Sequence, residues 1–282
     1  MAEPSGTATL LRLYGGAAAR VARRGRKRGA GGASEATESP VFVVGAPRSG
    51  TTFMAESLGR LPGFVDLGEV APLKVSIHEL AALPQAEAAT RVRRTLERVR
   101  SLGLVRRLRA IEQTPETSFL LPAVLLAYPG ARVVHMVRDG RDVVCSLLAK
   151  GWLSEDRPGQ DDVGLAYGGY PRFWVEPERV QDFAATSDAR RAAWAWRRYV
   201  TAVRDAPKER TLEVRYEKLA ADPRAVASAL AEHLGVDREL LAKGLANVHA
   251  ESVGRWRRDL SAEQVAEVEA EAGAVLRELA YL

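Results

Sequence analysis

A single cysteine, Cys145, leaves the 282-residue chain without any internal disulfide, so a reducing, cytoplasmic compartment is the expectation. Long apolar runs are missing as well. Nothing approaches the ~18–20 consecutive apolar residues that a membrane-crossing helix needs, and a soluble protein without an integral membrane segment is expected. No internal repeat is visible. A secretory leader is not in evidence either: the basic cluster of residues 1–32 follows the short apolar patch Leu10, Leu11 and Leu13 instead of preceding it. Acidic charge is in modest deficit, with 41 Lys and Arg against 36 Asp and Glu, a net charge of +5. Residues 1–40 hold seven of the basic residues (Arg12, Arg20, Arg23, Arg24, Arg26, Lys27, Arg28) against Glu3, Glu35 and Glu38. The body is therefore nearly neutral, and the surplus does not argue for nucleic acid as a partner. An Arg-rich, acid-poor leader has the composition of a transit peptide or of a contact to an anionic surface. The favoured reading is a disordered basic tail, with Gly29 to Pro40 as a flexible linker into the rest.

What is present suits one large α/β domain over residues 41–282, with 46% hydrophobic and 27% charged residues. Its centre is the stretch Val41-Phe42-Val43-Val44-Gly45-Ala46-Pro47-Arg48-Ser49-Gly50-Thr51-Thr52-Phe53. Four apolar residues read as a short buried strand of a parallel sheet. Gly45 to Gly50 reads as a tight loop, and Phe53, Met54, Leu58 and Leu61 recur at helical spacing. Strand, glycine loop and helix start direct backbone N–H groups at one point, where the helix carries roughly half a positive charge. An anion site follows; a ligand-free glycine turn is the alternative.

The spacing is close to G-x-x-x-x-G-K-[ST], but Thr51 stands where the lysine of that pattern should be, and the cation comes earlier, at Arg48. Amides and the Thr51 and Thr52 hydroxyls still suit a phosphate, without the lysine that would reach a β/γ-phosphate pair. Gly45-Ala46-Pro47-Arg48-Ser49-Gly50-Thr51-Thr52 resembles the 5′-phosphosulfate-binding loop of sulfotransferases that use 3′-phosphoadenylyl sulfate (PAPS).

Further stretches carry the same resemblance. Phe64-Val65-Asp66-Leu67-Gly68-Glu69 reads as a second strand, and if parallel it brings Glu69 to the ligand edge of the sheet. There a carboxylate is a helix N-cap or a general base. Gly68-Glu69 is similar to the Gly-Glu of the protein-tyrosine and related branch, which implies that Glu69 is the catalytic base. Val70 to Ala110 is helical in character and basic. Ile111-Glu112-Gln113-Thr114-Pro115 departs from the family at Gln113, where many relatives have a lysine that helps to hold the transferring sulfuryl group. Ala131 to Val137 reads as another buried strand, with Asp139 and Asp142 as an N-cap signal after it. Arg138 leaves that strand and Ser146 lies in the following helix; Arg-x7-Ser resembles the 3′-phosphate-binding motif of the family. A guanidinium fork and a hydroxyl suit a phosphate monoester. His135 and Cys145 read as packed residues.

Residues 151–180 read as an ordered excursion over the site, with Trp152, Tyr167, Tyr170, Phe173 and Trp174 either lining an acceptor pocket or packing the excursion down. Ser187-Asp188 opens a helix whose Trp194, Trp196 and Tyr199 read as core. Thr211 to Leu219 reads as a strand ending in Tyr-Glu-x-Leu, in which the resemblance puts Tyr216 near the nucleotide. Pro223 to Leu234 reads as an amphipathic helix and Ala262 to Leu282 as a polar-charged one. Ser252-Val253-Gly254-Arg255-Trp256-Arg257 between them resembles the late nucleotide-covering loop, implicating Arg255.

The expectation is one P-loop NTPase-like α/β domain, a parallel sheet flanked by helices. The resemblance implies transfer of a sulfuryl group from PAPS to a hydroxyl or amine of a small-molecule or peptide acceptor, releasing adenosine 3′,5′-bisphosphate (PAP). Glu69 takes the acceptor proton. Arg48, Ser49, Gly50, Thr51 and Thr52 meet the 5′-phosphosulfate, with Arg48 stabilising the leaving charge, and Arg138, Ser146, Tyr216 and Arg255 complete the nucleotide site. No metal is implied, because fixed cations and amides supply the compensating charge. Two alternatives stand beside this. A P-loop kinase or NTPase would share the fold, with Asp139 the candidate magnesium ligand; a non-catalytic PAP-binding protein would tolerate Gln113.

Overall fold

A computed structural model of the chain describes residues 6–26, 39–154 and 175–282. Five strands form one sheet: β1 (Val41–Val44), β2 (Phe64–Asp66), β3 (Arg109–Glu112), β4 (Arg132–Val137) and β5 (Thr211–Arg215). Their order is β2-β3-β1-β4-β5, and every neighbouring pair is parallel. The register sets Val41 beside both Ile111 and Arg132, so β1 is enclosed by backbone on both edges. Its all-apolar VFVV follows, because a central parallel strand is also covered on both faces. Phe42 and Val44 enter one core, with Val65, Leu73, Val92 and Leu96. Val41 and Val43 point to the other face, with Met54, Leu58, Leu230 and Leu241. This is the parallel, P-loop-like sheet between helices expected from the sequence.

On the first face lie α3 (Ala71–Val75), α4 (Ile77–Ala82), α5 (Gln85–Leu102), the 3-10 turn Pro115–Leu120 and α6 (Leu121–Ala127). The opposite face carries α2 (Thr51–Leu58), α10 (Tyr216–Ala221), α11 (Pro223–Leu234) and α12 (Arg238–Leu245). A third core joins α7 (Gly140–Lys150), α8 (Val180–Ala185), α9 (Asp188–Ala202) and α14 (Ala262–Glu278), around Trp194 and Trp196. The short α13 (Trp256–Asp259) packs on α7. Ser187 caps α9, and Trp194, Trp196 and Tyr199 are buried, as their helical spacing suggested. His135 is buried on β4, and burial lowers its pKa to about 4; Cys145 is buried in α7, and burial raises its thiol to about 11.

Two sequence expectations change. Gly6–Arg26 is not a tail but a helix, α1, seated against α3 and α5. Ala17, Ala18 and Val21 are buried, Tyr14 packs beside them, and the Tyr14 hydroxyl donates to Thr95 Oγ1 at 3.4 Å. Tyr14, Ala17, Ala18 and Val21 recur at helical spacing, a pattern diluted by the alanines and by the arginines on the outer face. Residues 27–38, the rest of the expected tail and linker, lie outside the described residues. The basic run before Gln113 also ends earlier than its composition implied, because Arg109–Glu112 is β3. Arg109 is buried there, its guanidinium donating to the carbonyls of Ser39 and Leu234 at 2.6 and 2.7 Å.

Candidate active site

The chain order places the site. Connections from β1 lead first to β2 and β3 on one side and then to β4 and β5 on the other. A crevice therefore opens beyond the carboxyl end of β1, where open α/β sheets bind ligands. The glycine loop fills it. Gly45 has φ 145°, and a Cβ there would stand 2.3 Å from the Met136 carbonyl oxygen. Gly50, at φ 93°, would drive a Cβ to 2.7 Å from the Tyr216 ring. These approaches let the loop lie flat against β4 and α10. Arg48 holds φ 73°, a costly angle for a side-chain-bearing residue, and presents its side chain outward. Gly50 precedes α2 with no side-chain cap, so the first-turn amides of Thr51 and Thr52 have no intrahelical acceptor.

Around this loop a cavity of about 290 Å³ is lined by Arg48, Gly50, Thr51, Thr52, Arg138, Ser146, Tyr216 and Arg255. Eight separately anticipated residues, from five parts of the chain, thus meet at one place. Phe53, His249 and Ser252 line it too; Ser252 opens the stretch read as the late nucleotide-covering loop, whereas Phe53 and His249 were not anticipated as lining residues, because only folding brings them there. Of the anticipated residues, Ser49 and Glu69 do not line it. Ser49 is fully buried beneath the loop, with no hydrogen-bond partner for its hydroxyl among the described residues.

The cationic side is built from shared contacts. Arg48 Nε donates to Ser146 Oγ at 2.9 Å, and its guanidinium faces the Trp152 ring at 5.7 Å. Arg138 is buried; it donates to the carbonyls of Arg48 (3.3 Å) and Ser252, and lies 4.6 Å over the Tyr216 ring. Its Nε has no hydrogen-bond partner among the described residues, an unusual condition for a buried guanidinium. The Arg138 carbonyl accepts from Trp196 Nε1 at 3.1 Å, which fixes the strand end. Tyr216 donates its hydroxyl to the His249 carbonyl at 2.9 Å. Asp142 holds the late loop, accepting from the amides of Gly254 (2.7 Å) and Trp256 (3.1 Å). Arg255 in that loop is paired with Asp259 at 2.7 Å. Asp139 is engaged as a helix cap, bonding the Arg141 amide at 3.0 Å and its guanidinium at 2.8 Å. These contacts occupy the carboxylate that a kinase reading would assign to magnesium. Tyr167, Tyr170, Phe173 and Trp174 lie outside the described residues.

On the other side of β1 lies Glu69. It follows β2 through Gly68, whose φ of 70° turns the chain, and its side chain is 20% exposed. The link to the cavity is short. Thr52 donates its hydroxyl to Gln113 Oε1 at 3.3 Å, and the Gln113 backbone N–H donates to the Gly68 carbonyl at 3.4 Å. Lys74 Nζ donates to Glu69 Oε2 at 2.6 Å. Behind them Glu112 is fully buried, accepting from the Thr114 amide (2.8 Å) and the Thr117 hydroxyl (3.0 Å); burial pushes its pKa up to about 7 despite those bonds.

A glycine loop at the switch point of a parallel sheet, rimmed by arginines, defines a P-loop-type fold with a site suited to a polyanionic nucleotide. The family profile described as Sulfotransferase family matches residues 78–239, more than half of the chain, and the protein belongs to that family. That match includes Arg138, Ser146 and Tyr216 but begins after the glycine loop and Glu69. Among solved structures, the fold is similar to mouse sulfotransferase SULT7A1 complexed with PAP (TM-score 0.52, 15% identity, covering 85% of each chain). It is also similar to the sulfotransferase domain from the curacin biosynthetic pathway (TM-score 0.52, 12% identity, 83% of this chain and 97% of that one). A third is sulfotransferase STF9 from Mycobacterium avium (TM-score 0.51, 13% identity, 86% and 77%). At these identities the likeness is one of fold. No curated protein sequence matches the chain. Among the described residues, no helix is long and apolar enough to cross a membrane.

Proposed function

We propose that the protein transfers a sulfuryl group from PAPS to a hydroxyl or amine of a small-molecule or peptide acceptor and releases PAP. The observation that carries this reading is the cavity itself: Arg48, Gly50, Thr51 and Thr52 of the 5′-phosphosulfate loop line one space with Arg138, Ser146, Tyr216 and Arg255. The residues fit such a ligand, since a buried arginine with an unpartnered Nε and a helix start without a side-chain cap both call for an anion. The mouse neighbour was solved with PAP, the nucleotide proposed here.

PAPS supplies an activated sulfuryl group on its 5′-phosphate. Arg138 and Ser146 hold the 3′-phosphate, and Tyr216 packs beside Arg138 over Gly50. Glu69 takes the proton of the acceptor, as in the Gly-Glu branch that the sequence resembles. The new bond forms from acceptor oxygen or nitrogen to sulfur, the bond from sulfur to the 5′-phosphate oxygen breaks, and that oxygen keeps the electron pair. Arg48, the Thr51 and Thr52 hydroxyls and the loop amides meet the charge that develops there. Gln113, oriented by Thr52, offers a neutral contact where relatives often carry a lysine. Incubation with PAPS and a panel of phenols, alcohols, amines and tyrosine peptides, read by mass spectrometry, should give a gain of one SO₃ on an acceptor together with stoichiometric PAP. PAP binding without transfer to any member of the panel would favour a binding protein instead.

A further inference from the structure

Lys74 stands apart from the nucleotide cavity. It lies on α3 with its side chain 2% exposed, and an ammonium so far from water needs opposite charge beside it. Nζ is 2.6 Å from Glu69 Oε2 and 3.8 Å from Glu116 Oε2. Glu116, on the 3-10 turn after β3, accepts the Tyr199 hydroxyl at 3.0 Å. A line of contacts therefore runs from α9 through Glu116 and Lys74 to Glu69. The main chain at Glu69 is held from outside as well. Arg20 of α1 donates to the Glu69 carbonyl at 3.3 Å, and Arg24 pairs with Asp66 at 2.7 Å. The charged groups around Glu69 are thus Lys74 of α3, Glu116 of the 3-10 turn, Arg20 and Arg24 of α1, Asp66 of β2 and Glu112 of β3.

We propose that Lys74 is a positioning residue of the transfer reaction, holding the Glu69 carboxylate ionised and in place at the sheet edge, with Glu116 and Tyr199 as its support. This rests on the reading of Glu69 as the base. Buried ion pairs add little net stability, but they fix geometry and protonation state. The pair is asymmetric: the lysine is enclosed while one-fifth of the glutamate side chain meets solvent, so the glutamate is the partner that can face an acceptor. A cation beside a carboxylate favours its ionised form. Lys74 is the cation that meets the Glu69 carboxylate directly, at 2.6 Å.

Lys74→Met keeps the chain length and removes the charge, while Lys74→Arg keeps the charge. In Lys74→Met, kcat should fall roughly 10- to 100-fold at neutral pH, PAP affinity should hold within about twofold, and the acid limb of the pH–rate profile should move up by about one unit or more. Lys74→Arg should recover part of both effects. Carboxyl-carbon NMR of Glu69, assigned with Glu69→Gln, reads the coupling without turnover, and its titration should move upward in Lys74→Met. An unmoved Glu69 titration overturns the proposal even in an active enzyme. A wild-type protein that transfers to no acceptor overturns the base reading instead, and the NMR result separates the two failures. Glu116→Gln is the second probe should Lys74→Met fail to fold; an unchanged kcat and pH profile in that variant overturns the proposed line of support.

Discussion

The two sides of β1 meet the ligand edge with opposite chemistry. On the β4 side arginines gather: Arg138 is held by carbonyls, an aromatic ring and the buried Asp142 carboxylate at 3.9 Å, Arg48 donates to a serine hydroxyl, and Arg255 pairs with Asp259. On the β2 side, carboxylates gather around Lys74, and Glu69, Glu112 and Glu116 share its neighbourhood. The first arrangement brings three guanidinium groups to the rim of one cavity; the second sets carboxylates about one buried ammonium. In the proposed reaction the anionic donor binds on one side of this edge and the acceptor proton leaves on the other. Gln113 and Thr52 join the sides through a hydrogen bond between neutral side chains.

The sharpest way to break this comparison is Glu69→Gln. The substitution keeps size and polarity but cannot accept a proton, so turnover should fall by roughly 10²–10⁴-fold while PAP affinity moves by less than about threefold. Steady-state kinetics beside calorimetry decides it: a joint loss of turnover and binding would merge the two sides, and retained turnover would make Glu69 a structural residue. Removing residues 1–26 tests how far the carboxylate side depends on α1. With Ala17, Ala18 and Val21 buried and Arg24 paired to Asp66, the truncated protein should lose about 3 kcal/mol of stability, read by denaturant unfolding. An unchanged midpoint would restore the view of this segment as a dispensable tail.

On the cationic side, Arg138→Ala should weaken PAP by ~2–3 kcal/mol, the scale of a lost charge-assisted contact, and leave adenosine 5′-phosphosulfate nearly unaffected, because that ligand has no 3′-phosphate. Equal losses for both ligands in calorimetry would remove Arg138 from the 3′ role. The smallest effect concerns Glu112. Its pKa is raised to about 7 by burial, so the folded protein keeps this proton while the unfolded chain releases it near 4.5. Stability from this group is therefore fullest below 4.5 and declines as pH rises to about 7. Glu112→Gln should flatten that decline across the interval, measured as unfolding free energy against pH. A decline as steep as in the wild type would assign it to another group.

Local patterns were legible wherever a residue's role is set by its chain neighbours. VFVV followed by a glycine loop announced β1 and the tight turn at its carboxyl end, because a central strand and a close backbone approach each demand those residue types. Arg138 and Ser146, eight positions apart across a strand end and the following helix, were equally readable, as was the Ser187 cap of α9. Arg109–Glu112 was obscured as a strand because its outer arginine is buried through hydrogen bonds to distant carbonyls, Ser39 and Leu234, that no local window contains. Helix α1 was obscured because its apolar stripe is mostly alanine, whose burial depends on a partner helix, α5, far along the chain.

By itself the sequence determined the parallel sheet, the glycine loop and eight of the residues that rim the cavity, since strand burial and tight backbone turns depend on short-range spacing. Tertiary structure alone decided that Asp142 anchors the late loop, that Arg48 reaches Ser146, that α1 braces the β2 edge, and that Lys74 lies against Glu69 and Glu116. Each of these joins side chains from separate elements, and a charge takes its meaning from what stands within a few ångströms of it after the chain has folded.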